Sequence, residues 1–374
     1  MPKTALVVGG AGATGRHLVE GLVARGFETT ILHRGVHEPA HLAGLRHLHA
    51  DPHFAESVTQ VLGNERFDLV LLTYGRVAQL ARVFEQRCQQ LLAVGGVPLY
   101  PGFADPQAAW PGGMRVLAGE DEAPGDTGRI RAEPARRFVE KMAAAERAVL
   151  EAHARGSYRG TVFRYPRIYG PGSIVSQEWS IVKRVQEGRH HLLLPNAGQA
   201  VFTRCAAANA AHCVLLAVDR PEAAAGQVFN CGDDQQYSLQ QWARIVLDAL
   251  GADLELVGLP PHLNHVAPQF ALYGGTMFGH ALASTDKARA LLGYRDVMPA
   301  AEAIAESARW WRSEGAEQAA AGIQRDAFDY ALEDTVRERL EQLARAVPAA
   351  VRSTPVHSYP HPKRPGLARD HHGR

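Results

Sequence analysis

Thr4-Ala-Leu-Val-Val-Gly-Gly-Ala-Gly-Ala-Thr-Gly-Arg16 decides how the rest of this chain is read. A short apolar run, Ala5 to Val8, breaks into glycines at positions 9, 12 and 15 just where helical periodicity begins. The order is strand, phosphate loop, helix. Gly9 permits a tight turn, Gly12 leaves no Cβ where a pyrophosphate would approach the backbone, and Gly15 lets the helix lie close to the strand. The helix then points its N-terminal N–H groups at the anion. A second strand, Glu28-Thr-Thr-Ile-Leu-His33, follows the helix at 14–25, so the loop stands in the context a dinucleotide site requires. The implied ligand is a dinucleotide, with Ala13 and Thr14 of the same loop beside it.

Outward from this stretch, strands and helices alternate to about residue 170. A helix near 54–63, the strand Leu69–Thr73, a helix at 76–93, the strand Val97–Tyr100, a helix at 134–154 and the strand Gly160–Arg164 follow in turn. Such alternation with short connections predicts an α/β fold, a Rossmann-type doubly wound parallel sheet covered on both faces. Beyond residue 170 the rhythm changes. Helices are expected at 177–187, 207–218 and 238–250, the last after a turn capped by Asp233-Asp234, and Trp310-Trp311 fall within a helix at about 299–313. The strand Gln227–Cys231 returns to the main sheet. The expected organisation is a dinucleotide-binding domain over 1–170, its sheet completed by about 227–232, a smaller substrate-binding part over 171–315, a helical C-terminal extension over 316–346 and a disordered tail over 347–374.

The 374 residues carry 40 basic and 39 acidic side chains, so no global field attracts nucleic acid or an anionic membrane. Charge recognition has to be local. Cys88, Cys205, Cys213 and Cys231 stand singly in apolar stretches, which suits buried thiols in a reducing compartment rather than a disulfide framework or a metal site. No metal site is expected; His371-His372 in the tail is read as solvated. No apolar run approaches about 18 residues and no signal-peptide core precedes the first strand, so a cytoplasmic location is expected.

With these motifs in place the chain resembles the extended short-chain dehydrogenase/reductases, the group of NAD-dependent epimerases, dehydratases and related reductases, over residues 4–315. Beyond the glycine loop, the resemblance rests on Asp51, at the adenine-contacting position after the third strand, and on Arg164-Tyr-Pro-Arg-Ile-Tyr-Gly-Pro-Gly172 after the sixth. Val228-Phe-Asn-Cys-Gly232 with Ser238 and Trp242, and Ser284-Thr-Asp-Lys-Ala-Arg-Ala-Leu-Leu-Gly-Tyr294, match the later signatures. The resemblance implies a nicotinamide cofactor, with Tyr165 and Pro166 at its pocket and Tyr169 toward substrate. It also implies homodimerisation, through helices such as the Ala-rich one at 135–154. At the end of the second strand NAD-specific folds place a carboxylate, whereas this chain has His33-Arg34. Arg34 can grip a 2′-phosphate, which favours NADP(H) over NAD(H).

The chain also departs from the family. Its members use a Tyr-x-x-x-Lys pair on one helix face and a Ser or Thr after the fifth strand. In the corresponding helix Lys141 is present, but Arg137 stands four residues before it; shifting by one gives Phe138 and Met142. No register restores a phenol, and a guanidinium, always protonated, has no lone pair to accept a proton. The segment after the fifth strand, Pro98-Leu-Tyr-Pro-Gly-Phe-Ala-Asp105, contains neither Ser nor Thr. Tyr100 is the candidate displaced proton donor, helped by Lys141, and Tyr74 a second, cofactor-facing candidate. Arg137 and Arg204 are expected toward an anionic substrate group; His190-His191, Trp179, Phe202 and the run 272–279 are further pocket candidates.

The function expected is that of an atypical NADP(H)-dependent oxidoreductase reducing a carbonyl or activated alkene of a small to medium, apolar substrate. The alternatives are a nucleotide-sugar epimerase or dehydratase, and a non-catalytic dinucleotide-binding scaffold or redox sensor.

Overall fold

The computed structural model describes residues 2–36, 38–174, 177–271, 279–316, 326–347, 365, 366, 368 and 369. Its first half is β1 (Thr4–Val8), α1 (Ala13–Ala24), β2 (Glu28–His33), β3 (Arg46–His49), α2 (Ala55–Leu62), β4 (Phe67–Leu72), α3 (Val77–Val83), β5 (Cys88–Gly96), α4 (Glu133–Ala154) and β6 (Arg159–Tyr165). The second half is β7 (Arg167–Tyr169), α5 (Glu178–Gln186), β8 (His191–Leu194), β9 (Arg204–Ala206), α6 (Ala207–Asp219), α7 (Pro221–Ala224), β10 (Val228–Asn230), α8 (Leu239–Leu250), β11 (Glu255–Gly258), α9 (Asp286–Leu292), α10 (Ala300–Arg312) and α11 (Tyr330–Ala346).

Seven strands form one parallel sheet in the order β10-β6-β5-β4-β1-β2-β3. The chain order reverses between β1 and β4. In such sheets the crevice for a ligand opens at the carboxyl ends of the two strands that flank the reversal, here beside Gly9 and Thr73. Alternate residues explain the unbroken apolar runs: Ala5 and Val7 pack against Leu18, Leu22 and Val214 of α1 and α6, whereas Leu6 and Val8 pack on the opposite face with Val58 and Leu80 of α2 and α3. β1 and β4 are buried on both sides, which makes both faces apolar, whereas the edge strand β3 is half exposed.

The predicted helix at 76–93 is in fact a short helix followed by a strand. α3 stops at Val83, Gln86 takes a left-handed φ of 61°, and β5 begins at Cys88. Leu91, Leu92 and Ala93 are buried and pair in parallel with both β4 and β6, which overrides helical propensity. The predicted strand Val97–Tyr100 is instead a 3₁₀ turn over Val97–Leu99, where Pro98 has no N–H for a ladder. The edge strand β3 is not among the predicted strands. α8 opens with a capping box in which Ser238 Oγ accepts from Gln241 N–H, and Gly251 closes it at φ 62°.

Residues 1–328 form one compact unit, including the dinucleotide-type sheet and the parts expected to bind substrate. The other unit, 329–374, contains α11, capped by the Asp329 carboxylate accepting from Leu332 N–H at 3.0 Å. The expected tail lies almost wholly outside the described residues. Among the described residues no helix is long and apolar enough to cross a membrane, and all four cysteines are free and buried.

Candidate functional site

The glycine loop is built for a close approach. Gly9 sits at φ 109°, and a Cβ there would lie 2.4 Å from Thr73 Oγ1; a Cβ on Gly15 would lie 2.0 Å from the Gly10 carbonyl oxygen. Gly12 differs: a Cβ there meets nothing within 4 Å, so its bareness serves no packing need. It is the N-cap of α1 and offers no side-chain cap, which leaves the first N–H groups of the helix for an anion.

From this loop a cavity of about 460 Å³ runs across the carboxyl end of the sheet. Gly12, Ala13 and Thr14 line one side, Gly95 and Gly96 the end of β5, and Tyr165, Pro166 and Arg167 the end of β6 and the start of β7. α4 contributes Phe138 and Met142, and Phe202, Thr203 and Ser173 close the far wall. The wall is mainly apolar. Arg167 is the one ionisable lining residue with a permanent charge among those described, its Nη2 donating to Ala271 O at 3.4 Å.

α4 settles the register that sequence left between two alternatives. Residues 138 and 142 face the cavity, while Lys141 and Arg137, one position earlier in each case, fall outside it. Lys141 is exposed, and Arg137 is exposed and paired with Glu133. The two α4 side chains that line the cavity are thus a phenyl ring and a thioether. At the end of β5 the cavity meets Gly96, where a Cβ would lie 2.7 Å from Met142 Cε.

Tyr100 does not reach the cavity either. It is buried, its hydroxyl donates to Asn230 Oδ1 at 2.9 Å, and Arg164 lies 4.8 Å from its ring centre. Burial pushes the phenol above its ordinary pKa, the opposite of what a proton shuttle needs. Arg164 is itself structural, held by Glu146 through Nε at 3.0 Å and Nη2 at 2.8 Å. Tyr169, expected toward substrate, is buried and donates to Asp233 Oδ2 at 2.6 Å. Asp233 also accepts from Ala206 N–H and Asn209 Nδ2, so it ties β9 and α6 together rather than merely capping a turn. Arg204 is buried behind the wall, donating to Gln177 Oε1 at 3.1 Å with Phe202 at 4.4 Å from its guanidinium. Tyr165 lines the cavity, and burial raises its phenol well above the ordinary value.

At the other end of the loop the expected adenosine-side residues do cluster. Asp51 follows β3 and accepts from the backbone N–H and Nδ1 of His53, both at 2.9 Å. Those bonds, with Arg34 nearby, hold its carboxyl below the usual range. The His53 ring stands edge-on to Tyr74 at 4.9 Å, and Arg34 lies 6.0 Å from the Tyr74 ring centre. Arg34 is exposed and Tyr74 is 43% exposed. His191 is buried in β8 away from the cavity, Trp179 packs on Trp311, and residues 272–278 of the candidate run 272–279 lie outside the described residues.

Reasoning from sequence missed Arg167, Phe138 and Met142 as lining residues. Arg167 lay in plain sight inside the motif after the sixth strand; Phe138 and Met142 were the discarded register.

The family model for the NAD dependent epimerase/dehydratase family matches residues 118–232. No curated protein sequence matches. Solved structures match in fold over most of the chain. A putative epimerase from Burkholderia cenocepacia is 19% identical with a TM-score of 0.64, covering 83% of this chain and 98% of that one. The UDP-glucose 4-epimerase of Thermotoga maritima, solved with UDP-glucose, is 16% identical with a TM-score of 0.64, covering 83% and 99%. The Bordetella bronchiseptica enzyme WbmG in complex with NAD is 15% identical with a TM-score of 0.64, covering 84% and 96%. The chain therefore has the fold of these solved structures, and residues 118–232 match the epimerase/dehydratase family model.

Proposed function

We propose that this protein binds a nicotinamide dinucleotide along the glycine loop, NADP(H) in preference to NAD(H), and an apolar ligand with an anionic group in the adjoining cavity. It acts on that ligand as an oxidoreductase without a tyrosine–lysine proton relay. The carrying observation is that Phe138 and Met142 line the cavity from α4 while Lys141 faces solvent. The residues present fit the cofactor: Gly12 is open on its outer side, the α1 N-terminus is uncapped, and Arg34, Asp51 and Tyr74 cluster where the adenosine half belongs.

When bound, such a cofactor supplies or takes up a hydride. What the chain adds is shape and one charge. Phe138, Met142, Phe202 and Ile168 make the wall beside the reacting face apolar, and Arg167 holds an anionic group by a charge-assisted bond. The described lining side chains include the hydroxyls of Thr14, Thr73, Tyr165, Ser173 and Thr203 but none whose ordinary pKa lies near neutrality. A sugar hydroxyl or a ketone needs such a group, because an alkoxide is a strong base. A conjugated alkene with an electron-withdrawing acid group does not, since the stabilised carbanion can take its proton from water. Lys141 and Tyr100 are accordingly left out of the chemistry.

A second reading, nucleotide-sugar epimerisation or dehydration, is favoured by the family match over residues 118–232. One experiment separates them: titrate the protein with NADPH and NADH, then follow cofactor oxidation with unsaturated acids and enones beside turnover of UDP- and dTDP-sugars. NADPH binding with alkene-dependent oxidation is expected. Sugar conversion supports the second reading, and absence of any dinucleotide binding overturns both.

A further inference from the structure

Three histidines gather at the far edge of the sheet, outside the cavity. In the β2–β3 register His33 pairs with His49 and Ile31 with His47, so His47 and His49, two residues apart, stand on the same face as His33. Glu38 from the following segment completes the group. His33 Nε2 lies 2.7 Å from His47 Nδ1, while Glu38 Oε1 lies 3.2 Å from His49 Nε2, 3.6 Å from His33 Nε2 and 3.9 Å from His47 Nδ1. All four ligand atoms fall within 4.8 Å of one another. Tetrahedral zinc, with bonds of about 2.0–2.1 Å, spaces its ligand atoms roughly 3.3 Å apart, so the cluster needs only small adjustments to surround an ion.

We propose that His33, Glu38, His47 and His49 form a binding site for a divalent first-row transition metal, zinc by preference, that ties the segment after β2 to the edge strand β3. Three imidazoles and a carboxylate are a donor set suited to zinc and unsuited to magnesium or calcium. The partners of these rings favour the assignment. His47 Nε2 lies 3.0 Å from Leu42 O and donates to it, which leaves the Nδ1 lone pair facing the centre and fixes the ring. His33 is the ligand that must adjust. Gly35 N–H donates to its Nδ1 at 3.1 Å, so without metal the proton sits on Nε2 and is shared with His47. On ligation that proton moves to Nδ1 and the Gly35 N–H turns away, which couples the ion to the backbone next to Arg34. The site is closed on one side and open on the other: the His33 side chain is 8% exposed and that of His49 58%, leaving an entry path.

The test uses the full-length chain without an affinity tag, stripped with a chelator and reloaded with Zn2+ or Co2+. One ion per chain and the intense visible absorption of four-coordinate Co2+ are expected. Glu38→Gln and His49→Gln change exposed side chains, so both variants should fold; each should weaken Zn2+ binding at least tenfold. A His371→Ala/His372→Ala variant should bind as the parent does. Binding well below one ion per chain overturns the site, as does the weak absorption of six-coordinate Co2+. Retention of the ion in Glu38→Gln and His49→Gln, with its loss in the tail variant, overturns it too and marks adventitious binding.

Discussion

Phe138 and Met142 lie about one helical turn apart on α4 and both line the cavity that begins at Gly12, and neither side chain is ionisable. A tyrosine–lysine pair can be built there. In Phe138→Tyr the new phenol should titrate above its ordinary value in so apolar a wall, and adding Met142→Lys should lower it by about one unit, because a cation one turn away favours the phenolate. Ultraviolet titration of the two variants against the parent checks this; equal phenol pKa values in both would mean the two positions do not face each other.

Gly12 and Gly15 should separate binding from folding. Gly15→Ala places a Cβ 2.0 Å from the Gly10 carbonyl oxygen, and the loss of stability should exceed about 3 kcal/mol. Gly12→Ala meets nothing within 4 Å at an ordinary φ of −85°, so its melting temperature should match the parent's while dinucleotide affinity falls at least tenfold. Thermal melts and calorimetric titration of both variants make the comparison.

Arg34→Ala should narrow the preference for NADPH over NADH by tenfold or more and leave NADH affinity within twofold, since only the 2′-phosphate loses a forked cationic partner. Competition titrations with the two cofactors measure it.

Tyr100→Phe should leave dinucleotide affinity untouched and cost about 1–2 kcal/mol of stability, the cost of stranding Asn230 Oδ1 in a buried site. Lys141→Ala, on an exposed side chain, should change both by less than about 0.5 kcal/mol. Urea unfolding and a binding isotherm on each variant decide whether either residue belongs to the chemistry.

Asp105 gives a pH signature. Its buried carboxylate accepts from Arg131 Nε at 2.8 Å and Nη2 at 2.9 Å and from the N–H groups of Gln107 and Arg131, which holds its pKa down to about 2 from an ordinary 3.8. A depressed pKa stabilises the fold fully above the unfolded value and less as pH falls through about 4 toward 2. Arg131 is 65% exposed, so screening leaves about 1–2 kcal/mol for Asp105. Asp105→Asn should therefore be less stable than the parent at pH 6, the gap closing below pH 3, as read from urea midpoints across that range.

The loop at residues 9–15 and the strands β1, β2, β4 and β6 were legible because each depends on neighbours in the chain: a glycine spacing or an apolar run. The α3–β5 boundary was not, because Leu91–Ala93 read equally as a helix face or a buried strand until β4 and β6 offered hydrogen bonds on either side. Tyr100, Tyr169 and Arg204 failed as site residues for a related reason. Their types suited chemistry, but distant partners, Asn230, Asp233 and Gln177, claim their polar atoms.

By itself the sequence determined the strands β1, β2, β4 and β6 and the glycine loop, and showed that neither 137/141 nor 138/142 reads Tyr-x-x-x-Lys, since these follow from local spacing and from residue type. Only the tertiary structure decided that Phe138 and Met142 rather than Arg137 and Lys141 face the cavity, and that His33, Glu38, His47 and His49 share one corner. A helix presents a new face every 100° and a strand every second residue, so a shift of one position is nearly silent in sequence. It becomes decisive once packing fixes which side is turned inward.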